Sequence, residues 1–306
     1  MLGFFQRLYG LRWKSARLER YQCRIMVRLA DTLMPIVYRA ITTNGAQPRR
    51  EGGATGQQFI VSLTTFPQRI QRLWLVVESM LRQSERPEKI ILWLYSGEFK
   101  GRESLPLRLL QQERRGLQIR FCDENLMGHK KYIYSMAEFP DANIVTIDDD
   151  FFYPPDLLAK LKKAHADYPE AILCSRAREI LIEGQRIQPY KNWKLVQDNT
   201  KPSFQCLAIG CGGTLFPSNS IHRDAFDVAA IMRCALRADD LWLKIMSLRK
   251  GTKVATLSGD YPRFFLPVLH RDDTRLMDSN IDGGGNDMVF RDLVGNYGIP
   301  ASAFKG

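Results

Sequence analysis

Asp148, Asp149 and Asp150 stand in a row in NIVTIDDDFFYPP, directly after an apolar stretch that reads as a buried strand. Three adjacent carboxylates are costly, because at about 6 Å and an effective dielectric of about 20 each like-charged pair costs roughly 3 kcal/mol. A bound divalent cation would offset that cost. Side chains alternate along a strand, so Asp148 and Asp150 are expected to point one way and Asp149 the other. Two carboxylates can then approach one hard cation, or one can take the cation and the other a ribose hydroxyl. Mg²⁺ and Mn²⁺ favour oxygen ligands and keep positions open for phosphates. The plainer alternative is an acidic turn that caps the next helix, with Asp156 as a further candidate for that role.

A second acidic pair, Asp239 and Asp240, opens ADDLWLKIMSLRKG. Leu241, Ile245 and Leu248 mark a helix there, with Gly251 just past its end. At a helix start the two carboxylates can simply cap free amides. Between the two acidic sites lies GCGGTLFPSNS, in which Gly210, Gly212 and Gly213 allow close backbone approach. A tight turn between strands would explain the glycines equally well. The motif lacks the GxGxxG spacing of a dinucleotide fingerprint.

These residues need a frame. FIVSLTTFP, KIILWLYS, LQIRFCD, NIVTIDDD and EAILCSR read as strands, separated by helices at 69–84, 103–115, 130–139 and 154–169. Apolar strands alternating with helices predict an open parallel sheet covered on both faces. In such sheets ligands bind beyond the carboxyl ends of the strands, and the Asp triplet falls at one such end. The expected organisation is a helical extension over 1–43, a linker over 44–58, a nucleotide-binding half over 59–180 and an acceptor-binding, catalytic half over 181–306.

Charge is unevenly placed. Residues 1–56 hold ten Lys/Arg against three Asp/Glu, which leaves +4 of the net +11 to the other 250 residues. A nearly balanced main body argues against nucleic acid as partner. In the extension Leu18, Tyr21, Ile25, Leu29, Leu33 and Ile36 recur at helical spacing beside Arg17, Arg20, Arg24 and Arg28. That pattern suits an anionic membrane surface, or a helix that packs on the main domain or pairs with a second copy. The six cysteines show no CxxC, and four histidines provide no zinc framework. A reducing, cytoplasmic setting is expected, with no secretion signal and no spanning helix.

IVTIDDDFFYPPDLL, preceded by VSLTTFPQRI and followed by GCGGTLFP and ADDLWLKIMSLRKG, resembles nucleotide-sugar-dependent glycosyltransferases of the GT-A fold, of the family 2 type that builds bacterial capsule and lipopolysaccharide. The resemblance spans roughly 59–270. It implies a Rossmann-like three-layer α/β/α domain, a nucleotide-sugar donor, a glycan or lipid-linked acceptor, and Mn²⁺ or Mg²⁺. It further implies that Asp148 and Asp150, with Asp149 beside them, hold the metal, and that the late His270 adds a ligand. Ser62, Thr64, Thr65 and Arg69 match the nucleotide cradle. Asp123 would meet the base or ribose, Lys130 and Lys131 the diphosphate, and Gly212 and Gly213 the donor sugar. Asp240 would be the general base and Asp239 its support. The commoner pair is Glu-Asp, so the choice between the two carboxylates stays open. A nucleotidyl- or phosphotransferase and a non-catalytic carbohydrate-binding scaffold are the alternatives.

Overall fold

The computed structural model describes residues 1–12, 14–41, 58–196, 201–257, 265–270 and 284–305. The expected linker, apart from Gln58, lies outside the described residues.

Seven strands form the central sheet: β1 (Phe59–Thr64), β2 (Lys89–Tyr95), β3 (Leu117–Cys122), β4 (Asn143–Thr146), β5 (Ile172–Cys174), β6 (Thr214–Phe216) and β7 (Val254–Thr256), in the order β7-β5-β6-β4-β1-β2-β3. Pairing is parallel except around β6, which runs antiparallel to both β4 and β5. The glycine motif therefore does more than turn. It feeds a strand into the middle of the sheet, so strands from before and after residue 180 share one sheet.

The nine helices used below are α1 (Leu2–Tyr9), α2 (Ala16–Ile41), α3 (Ile70–Leu81), α4 (Leu107–Gln111), α5 (Lys130–Glu138), α6 (Leu157–Asp167), α7 (Val228–Cys234), α8 (Asp239–Lys250) and α9 (Gly285–Asn296). Alternation along the strands sorts the core into layers. Val61, Leu63, Leu92 and Val145 pack with Leu73, Val77 and Met80 of α3 and with Leu158 and Leu161 of α6. Ile60, Ile91 and Ile144 face the other way, toward Tyr134 and Met136 of α5. A further cluster joins α8 to α9 through Trp242, Ile245, Phe290 and Leu293. Fully buried side chains of this size stabilise by about 1.5–3 kcal/mol each. The result is the expected mostly parallel α/β/α sandwich.

The helix expected over 103–115 is only five residues of α4 between short 3₁₀ turns. In the first turn of α9, the Asp287 carboxylate accepts the Tyr190 amide at 2.6 Å.

The N-terminal helices pack on the domain, by a face other than the periodic one. Phe5, Ala30, Met34 and Tyr38 enter the core. The Gln6 side-chain amide donates to the Phe152 carbonyl at 3.1 Å, and Asp31 accepts from Arg72 at 2.6 Å and from the Leu269 amide at 3.1 Å. These contacts set the helix pair against Phe151–Phe152 and Leu266–Pro267, an antiparallel ribbon immediately after the Asp triplet.

Candidate active site

The fourth strand ends at Thr146, so the three carboxylates lie in the turn beyond it rather than in the strand. The expected alternation fails for that reason. Asp149 and Asp150 share one cation: Arg69, just before α3, donates to them at 2.7 and 2.9 Å. Thr65 donates to the other Asp149 oxygen at 2.5 Å, and Asp149 is buried. Asp148 turns instead to Lys131, 2.7 Å away. Its backbone is pinned by Tyr153, whose hydroxyl accepts the Asp148 amide at 2.8 Å and donates to the Cys211 carbonyl at 3.2 Å. One buried tyrosine thus ties the acidic turn to the glycine motif.

Lys131 is the pivot between the two acidic sites. Its ammonium lies 2.7 Å from Asp148 and 3.0 Å from Asp239. Burial alone would drive that ammonium down, but Asp148, Asp239 and Asp240 hold it well above the ordinary lysine range. Asp239 keeps a side chain 22% exposed. Burial works to raise its carboxyl, yet Lys131 and His129 outweigh it and hold the carboxyl below the usual range. Lys131 pulls Asp240 down as well, but too weakly to prevail. Asp240 accepts the Gly210 amide at 3.1 and 3.2 Å, and burial with the Asp239 and Asp148 charges pushes it up to about 8. Neither carboxylate caps its own helix, whose N-cap is Ala238 without a side-chain bond.

Glycines make this convergence possible. A Cβ on Gly210 would lie 3.1 Å from Asp240, 3.6 Å from Lys131 and 3.8 Å from Asp148. On Gly128 it would meet Asp239 at 2.6 Å, and on Gly212 the Ser175 hydroxyl at 2.0 Å. Gly213 has φ +86, which suits glycine. Gly212 and Gly213 shape the turn against Ser175 and Leu157, while Gly210 approaches the acids.

Several expected site residues are engaged elsewhere. Ser62 is fully buried; its hydroxyl donates to the Lys131 carbonyl at 2.5 Å and accepts from Ser135 at 2.8 Å, so it anchors α5 rather than facing a nucleotide. Thr64 donates to the Trp93 carbonyl at 2.8 Å. Lys130 is buried and reaches Asn125 at 3.3 Å; burial lowers its ammonium against the pull of Cys122, Glu98 and Asp149. Asp123 is exposed at the end of β3 beside Ser96. His129 had no assigned part in the sequence, yet it ties the start of α5 to the end of α7. Its ring nitrogens lie 3.0 Å from the Tyr132 hydroxyl and 2.9 Å from the Ala235 carbonyl.

The expected metal set of Asp148, Asp149, Asp150 and His270 is not preassembled. Among the described residues no three His, Cys, Asp or Glu side chains converge on a common point. Arg69 and Lys131 already occupy Asp149 and Asp148. The fit survives at Asp150. Its Oδ1 is buried without a hydrogen-bond partner among the described residues, and burial with the Asp148 and Asp149 charges pushes the carboxyl to about 7 despite Arg69. A buried, orphaned carboxylate oxygen short of positive charge suits a hard cation. The segment carrying His270 runs alongside, with the Val268 amide donating to the Asp150 carbonyl at 2.7 Å.

No family model and no curated protein matches this chain. Solved structures similar to it include a 4-diphosphocytidyl-2C-methyl-D-erythritol synthase, 12% identical over 71% of this chain and 94% of that one, TM-score 0.43. S. aureus TarS 1-349 in complex with UDP is 9% identical over 66% of this chain and 58% of that one, TM-score 0.44. The mannosyltransferase PcManGT from Pyrobaculum calidifontis, in complex with GDP-Man and Mn²⁺, is 13% identical over 76% and 67%, TM-score 0.41.

Proposed function

We propose that the protein is an inverting, metal-dependent glycosyltransferase. It moves a sugar from a nucleoside diphosphate donor to a glycan or lipid-linked acceptor in cell-surface polysaccharide synthesis, at the inner face of the cytoplasmic membrane. The observation that carries this reading is the Lys131 bridge, which joins the acidic turn after β4 to the Asp239–Asp240 pair. A transfer enzyme needs those two functions side by side: a group that tolerates a departing diphosphate and a base for the incoming hydroxyl.

Asp240 suits the base role. Its carboxyl, pushed up to about 8, titrates near working pH, so once a neighbouring cation draws off its proton it is a stronger proton acceptor than Asp239, which Lys131 holds below the usual range. Asp240 takes the acceptor proton as the hydroxyl attacks the anomeric carbon. Asp239, fixed by Lys131, orients the acceptor. Asp150 would hold Mn²⁺ or Mg²⁺, with Asp148 and Asp149 joining only as the cation displaces Lys131 and Arg69 from them and His270 on the adjoining segment. The cation would offset charge on the leaving diphosphate and draw nearby carboxyls into their ionised form. Arg69 and Thr65 keep the turn in position. A nucleotidyltransferase would want a glycine-rich phosphate cradle after β1, where this chain has Thr64 and Thr65 with their hydroxyls committed.

Asp240→Asn tests the assignment. With Mn²⁺ and a nucleotide-sugar panel, wild type is expected to release nucleoside diphosphate. The variant should lose about 10²-fold or more of that rate while still gaining thermal stability from the donor. Release of pyrophosphate from a nucleoside triphosphate instead would favour the nucleotidyltransferase.

A further inference from the structure

The N-terminal helices carry an apolar face that the fold leaves uncovered. On α2, Leu18, Tyr21, Leu29, Leu33 and Ile36 are 55, 67, 40, 37 and 56% exposed, with Ile25 half-buried among them. At about 100° per residue these six span about 120° of the helix, roughly opposite the buried Ala30, Met34 and Tyr38. Arg17, Arg24 and Arg28 run along one flank, all exposed, with Arg20 beyond them. Met1, Phe4 and Leu11 of α1 and its flanks are exposed as well. A helix that only shields a core presents a polar outer face; this one is apolar on both sides, and a contiguous exposed apolar face marks an interaction site.

We propose that this face docks on an anionic lipid surface, with α2 lying in the plane of the interface. The apolar row sinks to the boundary between headgroups and acyl chains, and the arginines meet lipid phosphates. Charge selects lipid over a second copy of this chain. The acids on α2 are Glu19 and Asp31, and Asp31 is engaged by Arg72 and the Leu269 amide, so a self-paired face would gather arginines with few carboxylates to answer them. No helix among the described residues is long and apolar enough to cross a membrane, so the contact is peripheral to the bilayer. Because the opposite face of α2 packs on the ribbon that follows the acidic turn, docking brings that turn close to lipid-borne substrates. The docking itself does not depend on the transfer reading.

The test is flotation of the full chain with phosphatidylcholine vesicles, with and without phosphatidylglycerol. Wild type is expected to float with the anionic vesicles alone, and less so at high salt. Leu29→Glu/Ile36→Glu and Arg24→Glu/Arg28→Glu should each lower partitioning by about tenfold or more. Their melting temperatures should match wild type because these side chains are exposed. The proposal is overturned if wild type ignores anionic vesicles or if both double variants bind as wild type does. It is overturned equally by a lipid-independent dimer that Leu29→Glu/Ile36→Glu dissociates in light scattering.

Discussion

Lys244 shows what a single buried group can report. It lies one turn beyond Asp240 on α8, its ammonium has no hydrogen-bond partner among the described residues, and it borders a cavity of about 20 Å³ shared with Thr214 and Asp240. Burial lowers it to about 7, against the opposing pull of Cys206 and Cys174. Unfolded, the same group keeps its proton up to about 10.5. Between those two values the unfolded chain carries the extra proton, so stability rises with pH across that window. Lys244→Met removes the buried amine together with its titration. We expect a higher melting temperature than wild type at pH 7 and a flatter rise between about pH 7.5 and 9.5. Parallel curves for the two proteins would show that the ammonium is paired and charged in the native state.

Elements were legible where their causes are local. The apolar spacing of α3 and α8, the Gly251 stop and the short apolar strands each depend on neighbours in sequence, and the structure keeps them. The position of β6 was not legible, because insertion of an antiparallel strand between β4 and β5 is set by the whole sheet. The site divides in the same way. The acidic turn and the Asp239–Asp240 pair stand out as charge against apolar surroundings. The Lys131 bridge, the Tyr153 tie and the Gly210 amide on Asp240 join side chains that only topology brings together. The glycine turn gives this a direct test. Gly212→Ala forces a Cβ against the Ser175 hydroxyl, so about 1–3 kcal/mol of stability should be lost, measured by chemical denaturation. Gly184 sits in open space, and alanine there should cost less despite its φ of +61. Equal costs at the two sites would mean that the turn is not closely packed.

At the scale of the molecule, one sheet serves both acidic sites and the N-terminal helices brace the ribbon beside them. The apolar period in α2 was visible from the sequence, but which face the domain would take was not, since both faces offer apolar side chains. On the proposed reading the acidic turn receives a metal-bound nucleotide sugar. The most direct measurement is thermal stabilisation of the purified chain by nucleoside diphosphates and nucleotide sugars, with and without Mn²⁺, repeated on Asp150→Ala. Ligand that binds only the native state raises the melting temperature by mass action. We expect a shift with one nucleotide family that requires both Mn²⁺ and Asp150. Absence of any shift with metal present, or an equal shift in Asp150→Ala, would contradict that reading.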